Sequence, residues 1–351
     1  MKILEKKKNH SDKNIRLYYV KCDFCNSENY EMLIKSKDYF FDKVPGEFSI
    51  VRCLDCNLIY TNPRLQTEEL TKYYFKILKY GVPSKNLEQK SKKISIFRRY
   101  DILTEFFNYP FLQKKKLRKL KLYLYYLRIK KRIKNTLLIP PFIKNGKILE
   151  LGCSYGDHLY QLKKLGWDVK GVELNKNAVD YAVKKLNLNV DCISIEDFES
   201  KELFNIIYMR MVLEHLESPK IILKKCYSLL KSNGKLVLII PDFSGLEGVI
   251  YKKYAYILQM PFHLYHFTPN SIKNYLNNLN FKKIKIVHQH FDRDLIAPLT
   301  FILRENPNNI TIKILFKLFT NKFIRKTIVK ILVNFLSFLG KTSRMTVVAR
   351  K

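Results

Sequence analysis

The sequence predicts an α/β protein, a parallel sheet covered on both faces by helices, with a small cysteine-bearing unit ahead of it. Three observations carry that expectation. Strand-like and helical stretches alternate between residues 147 and 288, a small-residue turn joins the first of these strands to its helix, and two Cys-x-x-Cys pairs stand before residue 60. A chain of 351 residues has room for one full α/β domain with smaller appendages, and 47% hydrophobic residues suffice for a buried core.

Taken in order, the N-terminus Met-Lys-Ile-Leu-Glu-Lys-Lys-Lys has no apolar stretch, so no secretory signal is expected. No run of 18 uncharged apolar residues occurs, so no spanning helix is expected, and the expected location is the cytoplasm. Cys22, Cys25, Cys53 and Cys56 then form two pairs separated by 27 residues. In a reducing compartment this spacing reads as a four-thiolate structural Zn2+ site, a zinc ribbon, rather than as two disulfides; four buried reduced cysteines are the alternative. Each pair is followed by an Asn (Asn26, Asn57), a residue that tolerates the left-handed backbone of a metal knuckle. Strands are expected over 30–35 and 47–51, and a helix over 67–75.

Residues 76–140 are lysine-rich and interleaved with aromatic side chains. Leu117, Leu120, Leu124 and Leu127 recur at helical spacing, which predicts a basic amphipathic helix. Residues 76–147 hold 21 basic and 3 acidic side chains, residues 303–351 hold 11 and 1, and residues 186–219 reverse the balance with 7 acidic and 2 basic. The total of +34 is therefore uneven. Three roles fit the basic segment: contact with an anionic membrane, nucleic-acid binding, or a solvated helix lying on the α/β domain.

After Pro140-Pro141 the alternation begins. Strands are expected at 147–151, 167–174, 189–194, 204–209, 235–240 and 282–288, and helices at 157–165, 175–186, 218–230 and from Thr268-Pro269 to about 280. Ser218 is placed to cap its helix with Pro219 in the first turn, and Asn233-Gly234 to end it. Residues 310–339 are apolar with Lys or Arg every three to five residues, an amphipathic helix or helix pair of the kind that lies at an interface or on a protein surface. Residues 344–350 read as a last strand. The domain expectation is thus 1–75 for the cysteine unit and its helix, 76–140 for the basic segment, and 141–351 for the α/β domain, with 291–343 a basic helical insertion. There are no internal repeats.

The turn Gly152-Cys-Ser-Tyr-Gly156 opens a helix, a place where backbone N–H groups meet a ligand. A dinucleotide fingerprint would need glycine at Ser154 and Asp157 as well, and Asp157 would repel a pyrophosphate. The charges beside the turn are Glu150 and Asp157, which suits a cationic ligand. Glu173, at the end of the second strand, is placed to accept from two ribose hydroxyls. S-adenosylmethionine, with its sulfonium, ammonium and ribose and no phosphate, meets these demands.

The successive stretches Ile148-Leu-Glu-Leu-Gly-Cys-Ser-Tyr-Gly156, Val172-Glu-Leu174, Phe204 to Leu216 and Leu229 to Pro241 resemble the motifs of a class I S-adenosylmethionine-dependent methyltransferase. With the cysteine pairs and Pro261-Phe-His-Leu-Tyr-His-Phe-Thr-Pro269, the chain resembles a bacterial subgroup with an N-terminal zinc ribbon whose members often act on small molecules or sugars. The resemblance implies a Rossmann-like doubly wound sheet of the seven-stranded methyltransferase type. It also implies that Glu150, Gly152 and Gly156 line the methionine end, Glu173 holds the ribose, Ile195 and Glu196 flank the adenine, Met209 and Arg210 meet the cofactor near its sulfur, and Ser154 and Leu174 belong to the cofactor-binding set. Ser154 stands where a glycine is commoner, and Asn205 where an Asp is usual.

A hydroxyl or carbon-acid acceptor needs a base, and imidazole is the natural one near neutral pH. His215, beside Glu214, ranks first and His266 second, with His263 in the same loop; for each, a packed structural ring is the competing assignment. The expected acceptor is a small molecule, a sugar or a lipid-linked glycan intermediate, met at the inner face of the membrane. An RNA methyltransferase using the zinc ribbon and the basic segment is the first alternative. It lacks the Asn/Asp-Pro-Pro-aromatic run after the fourth strand, which here reads Tyr208-Met-Arg-Met211, and it lacks a nucleophilic Cys there. A non-catalytic membrane-surface adaptor is the second.

Overall fold

The computed structural model describes residues 3–4, 16–78, 103, 107–110, 139–289 and 291–351. The leading strands are β1 (Ile3–Leu4), β2 (Leu17–Tyr18), β3 (Tyr30–Ser36), β4 (Phe48–Cys53), β5 (Ile59–Thr61) and β6 (Arg64–Leu65), followed by α1 (Thr67–Leu78). The alternating part runs β7 (Lys147–Leu151), α2 (Asp157–Lys164), β8 (Asp168–Glu173), α3 (Lys176–Leu186), β9 (Asn189–Cys192), β10 (Phe204–Arg210), α4 (Pro219–Leu229) and β11 (Leu230–Pro241). Then come α5 (Leu246–Tyr251), α6 (Pro269–Asn278), β12 (Lys282–His288), α7 (Arg293–Glu305) and α8 (Ile310–Thr320). The chain continues through α9 (Lys322–Ile324), one π turn (Arg325–Val329) and α10 (Lys330–Phe338) to β13 (Arg344–Arg350).

A mostly parallel sheet of seven strands has the order β12-β13-β11-β10-β7-β8-β9. The registers β10–β7, β7–β8 and β8–β9 are parallel, as expected where each strand returns through a helix. The chain divides into two compact units: Met1–Lys79 with Met211–Lys224 and Ile239–Val347, and Tyr80–Arg210 with Lys225–Leu238 and Val348–Lys351.

The second unit is built on β7 to β10. Ile148, Leu149 and Leu151 are fully buried, because a strand with parallel neighbours on both sides is covered on both faces. Leu159 and Leu162 of α2 and Val179 and Ala182 of α3 supply the covering stripes, joined by Trp167, Tyr208, Leu103, Phe107 and Tyr109. Trp167 donates its indole N–H to the Tyr109 hydroxyl at 2.9 Å, and that hydroxyl donates to the Pro140 carbonyl at 2.8 Å. Leu103, Phe107 and Tyr109 are thus core residues. Of the expected basic amphipathic segment, residues 79–102, 104–106 and 111–138, including the Leu117–Leu127 repeat, lie outside the described residues.

The first unit joins the N-terminal strands to later parts of the chain. β3, β4 and β5 form one antiparallel sheet, and β1, β2 and β6 another. Phe48, Ile50, Ile59 and Leu65 share a core with Ile257, Leu258, Met260 and Phe262. α6 starts as expected, with Thr268 and Ser271 capping each other reciprocally. The boundary furthest from expectation lies before β11. The helix before β11 stops at Leu229 and the strand begins at Leu230, with Asn233 at φ 61 inside it. Lys351 accounts for this: its N–H donates to the Gly234 carbonyl at 3.0 Å and its ammonium to the Leu230 carbonyl at 2.8 Å, so residues 230–234 find partners outside a helix.

Candidate active site

β7 delivers the chain to the glycine turn at the carboxyl end of the parallel strands. Gly152, Ser154 and Gly156 have φ of 72, 50 and 78°. A Cβ on Gly156 would also lie 2.5 Å from Leu188 Cδ1, so both backbone and space demand glycine there. The N–H groups of Gly152 and Cys153 both donate to the Val172 carbonyl, at 2.8 and 3.1 Å, and hold the turn against the end of β8. Glu173 follows directly. Its Oε2 accepts from the Ser154 N–H and its Oε1 from the Asn175 N–H, each at 2.9 Å. Asn175 in turn caps α3 through the N–H groups of Asn177 and Ala178. A carboxylate oxygen can accept more than one bond, so Glu173 is oriented by the backbone and keeps capacity for a diol. Leu174, beside it, is about half exposed.

Glu150, expected to line the methionine end, is wholly buried. Its Oε1 accepts from Arg210 Nε at 2.5 Å, and its Oε2 lies 3.1 Å from His158 Nδ1. Burial pushes its carboxyl pKa up, but His158 and Arg210 outweigh that and hold it below the ordinary value. Arg210, expected near a sulfur, is the partner that neutralises Glu150, so the turn is less acidic than residues 148–162 alone imply. Met209, expected beside the cofactor, has a fully buried side chain, because β10 is an inner strand. Ile195 is buried and follows β9 with Glu196. The carbonyls of both accept from Lys225 Nζ, at 3.2 Å for Ile195.

In the first unit, a short 3₁₀ turn, Leu213–His215, brings Glu214 and His215 against the 259–268 loop. The Glu214 carbonyl accepts from the N–H groups of Leu264 and Tyr265, at 2.8 and 3.2 Å. One polar side-chain atom from each of Glu214, His215 and His263 falls within 4.8 Å of the others. His215 Nδ1 donates to the Phe262 carbonyl at 2.9 Å and His263 Nδ1 to the Ile257 carbonyl at 2.7 Å; these partners fix both tautomers with a lone pair at Nε2. Glu214 is fully buried and both its carboxyl oxygens lack a partner. Burial raises its pKa to about 8 and lowers that of His215 to about 4. At neutral pH this is a protonated acid beside two neutral imidazoles. His215 is the half-buried member, while His263 and His266 are buried. His266 Nε2 sits 3.3 Å from Thr61 Oγ1, and its ring packs on Phe243.

The four cysteines come together. Cys22 Sγ lies 3.4 Å from Cys56 Sγ and Cys25 Sγ lies 3.5 Å from Cys53 Sγ, and all four sulfurs fall within 4.8 Å of one another. Asn26 and Asn57 have φ of 64 and 61°, as their place after each pair led one to expect. Four thiolates at this spacing, none in a disulfide, fit a tetrahedral Zn2+.

Sequence reasoning missed how this cysteine unit meets the histidine loop. Tyr60 bridges Tyr265 in antiparallel fashion, Thr61 N–H donates to the Leu264 carbonyl at 2.9 Å, and Thr61 Oγ1 donates to the His263 carbonyl at 2.8 Å. Buried Arg64 donates to the Thr61 carbonyl at 3.1 Å, and its guanidinium lies 4.6 Å from the Tyr265 ring centroid. Asp23 accepts from the Lys220 N–H at 3.0 Å and from the Tyr275 hydroxyl at 2.8 Å.

A family model described as a methyltransferase domain matches residues 123–286. The chain is 28% identical over 139 residues to a ubiquinone biosynthesis O-methyltransferase of Coxiella burnetii, which covers 38% of this chain and 57% of that protein. It is 26% identical over 130 residues to phosphoethanolamine N-methyltransferase 1 of Zea mays, covering 34% and 25%. It therefore spans little more than half the length of the first of these relatives. A S-adenosylmethionine-dependent methyltransferase structure from Archaeoglobus fulgidus aligns at TM-score 0.41 and 19% identity, over 65% of this chain and 94% of that one.

Proposed function

We propose that this chain, which carries a methyltransferase domain of the class I S-adenosylmethionine-dependent kind, methylates a small-molecule acceptor. The observation that carries the reading is the glycine turn facing Glu173, with the Ser154 N–H bonded to its carboxylate at 2.9 Å. S-adenosylmethionine, when bound, supplies a methyl group activated by its sulfonium. Gly152, Ser154 and Gly156 offer it close backbone approach, Glu173 accepts from its ribose with Leu174 beside it, and Ile195 and Glu196 border its base. Arg210 and Met209 act from behind: Arg210 holds Glu150 ionised, and Met209 packs the strand that ends there.

His215 Nε2 accepts the acceptor's proton, because its Nδ1–H is committed to the Phe262 carbonyl. His263 and Glu214 are positioning residues for that imidazole, and His266 is a buried ring packed against Thr61 and Phe243. Cys22, Cys25, Cys53 and Cys56 hold a structural zinc ion that shapes the surface on which the histidine loop rests. The acceptor is a sugar or a lipid-linked glycan intermediate, met at the cytoplasmic face of a membrane; this part rests on the subgroup resemblance and on the basic apolar helices of residues 310–338.

The test is calorimetric titration of the full chain with S-adenosylhomocysteine and, separately, with NAD+. Binding of the first alone is expected, and no heat with S-adenosylhomocysteine would overturn the reading. Mass spectrometry of cell-envelope glycans from a deletion strain then tests the acceptor: a methyl group should be missing.

A further inference from the structure

Within the first unit, the helices at 310–338 turn apolar side chains outward. Ile310, Ile314 and Leu318 recur every four residues on α8 and are exposed. In the stretch that follows, Phe323, Ile331 and Phe335 are 75, 69 and 58% exposed, while Val329 and Val333 on the opposite side are buried against Leu295. An ordinary surface helix buries one apolar stripe and turns a polar face to water. Here both faces are apolar, and the outer one is far wider than scattered surface leucines would make it.

Charge identifies what covers this face. Lys313, Lys317, Lys322, Lys326 and Lys330 are exposed along the same helices, and the chain has no Asp or Glu from residue 306 to its end. Arg325 is the exception, since it pairs with Asp292 at 2.7 Å. A second copy of this face would bring lysines against lysines with no carboxylate to receive them. An anionic bilayer receives both features: acyl chains take the aromatic and branched side chains, and the headgroups take the ammonium groups on their flexible stems. Among the described residues no helix is long and apolar enough to cross a membrane, so the mode is lying in the interface.

We propose that residues 310–338 form a membrane-docking surface specific for anionic lipid. This stands independently of methyl transfer, because none of these side chains belongs to the cofactor turn or the histidine loop.

The test is co-sedimentation of the full chain with vesicles of phosphatidylcholine alone and of phosphatidylcholine mixed equally with phosphatidylglycerol. Wild type should sediment with the mixed vesicles only. Ile331→Ser/Phe335→Ser, at exposed positions, should weaken that binding about tenfold or more, as removal of two inserted apolar side chains requires. Lys313→Gln/Lys317→Gln/Lys330→Gln should weaken it too and flatten its salt dependence. S-adenosylhomocysteine binding should be unchanged in both variants, which separates failure here from failure of the methyl-transfer reading. The proposal is overturned if wild type stays in solution with both vesicles, or if Ile331→Ser/Phe335→Ser sediments as wild type does. It is equally overturned if ultracentrifugation shows a dimer that this variant dissolves and no vesicle binding by either protein.

Discussion

Arg210 donates through Nε to Oε1 of the fully buried Glu150 at 2.5 Å, across two neighbouring parallel strands. Removing one member of such a pair strands the other charge in a low-dielectric interior. Arg210→Gln should therefore cost about 3–5 kcal/mol, measured by urea unfolding at pH 7. Because Glu150 is held below its ordinary pKa, its stabilising contribution is present above that range and lost as pH falls through the lowered value. The gap between wild type and variant should therefore narrow in acid; a gap that is constant with pH would contradict the pairing.

Glu214 has the opposite sign. Its folded pKa is raised to about 8 by burial, so the folded chain holds a proton that the unfolded chain releases above about 4.5. Wild type should lose stability relative to Glu214→Gln as pH rises from 5 to 8. The change is a few kcal/mol on a scale of about 1.4 kcal/mol per unit. Melting temperatures of the two proteins at both pH values decide it, and parallel curves would count against a buried neutral acid.

For His215, substitution by Asn should lower turnover by about 10²–10⁴-fold and leave S-adenosylhomocysteine affinity near wild type, the signature of a lost base. Since burial lowers its pKa to about 4, the neutral imidazole persists well into acid, and the acid limb of the rate profile should fall near 4 rather than 6.5. His266→Asn should instead lower thermal stability, because that ring is buried against Thr61 and Phe243. Equal turnover losses in both variants, with equal losses of stability, would remove the distinction.

Glu173→Gln keeps the shape but halves the acceptor capacity and removes the charge. A hydrogen bond to a charged group contributes about 1.5–3 kcal/mol, so affinity for S-adenosylhomocysteine should fall about 10- to 100-fold. Calorimetry reads this directly, and an unchanged constant would take Glu173 out of the site.

Zinc removal should be felt far from the sulfurs. After chelation, or in Cys56→Ser, amide exchange should quicken in residues 255–268 as well as 22–61, since the loop is bonded to β5 through Thr61 and bridged at Tyr265. Exchange confined to residues 22–61 would show that the loop holds itself.

The β7–turn–α2 unit was legible because every signal lies within about one helical turn of its neighbour: a buried apolar run, small residues at positive φ, then a 3.6-residue period. Each Cys-x-x-Cys pair was legible for the same local reason, and the doubling of the motif 27 residues apart joined the two pairs. Glu150 and Arg210 were not, since they are 60 residues apart and neither type is unusual alone. β5 escaped notice because three residues cannot show a period. The helices at 310–338 were legible as amphipathic, but which side would face outward depended on Val329 and Val333 finding Leu295. The acid–imidazole cluster was half visible: Glu214-His215 and His263 could be named, while their approach needed a loop more than 40 residues downstream.

The bond from Thr61 to the His263 carbonyl spans 202 residues, and that from Ser36 to the Lys253 carbonyl spans 217. On the ribosome, then, the N-terminal strands emerge long before the loops they pack against exist. At about 5–20 residues per second the wait is roughly 10–40 s. Through that interval β3 to β5 stand without their final core, held by their own antiparallel ladder and, on the proposal above, by a zinc ion on the four thiolates. With zinc bound there, the order of synthesis would make metal supply a matter of timing, with cysteine capture preceding completion of the histidine loop.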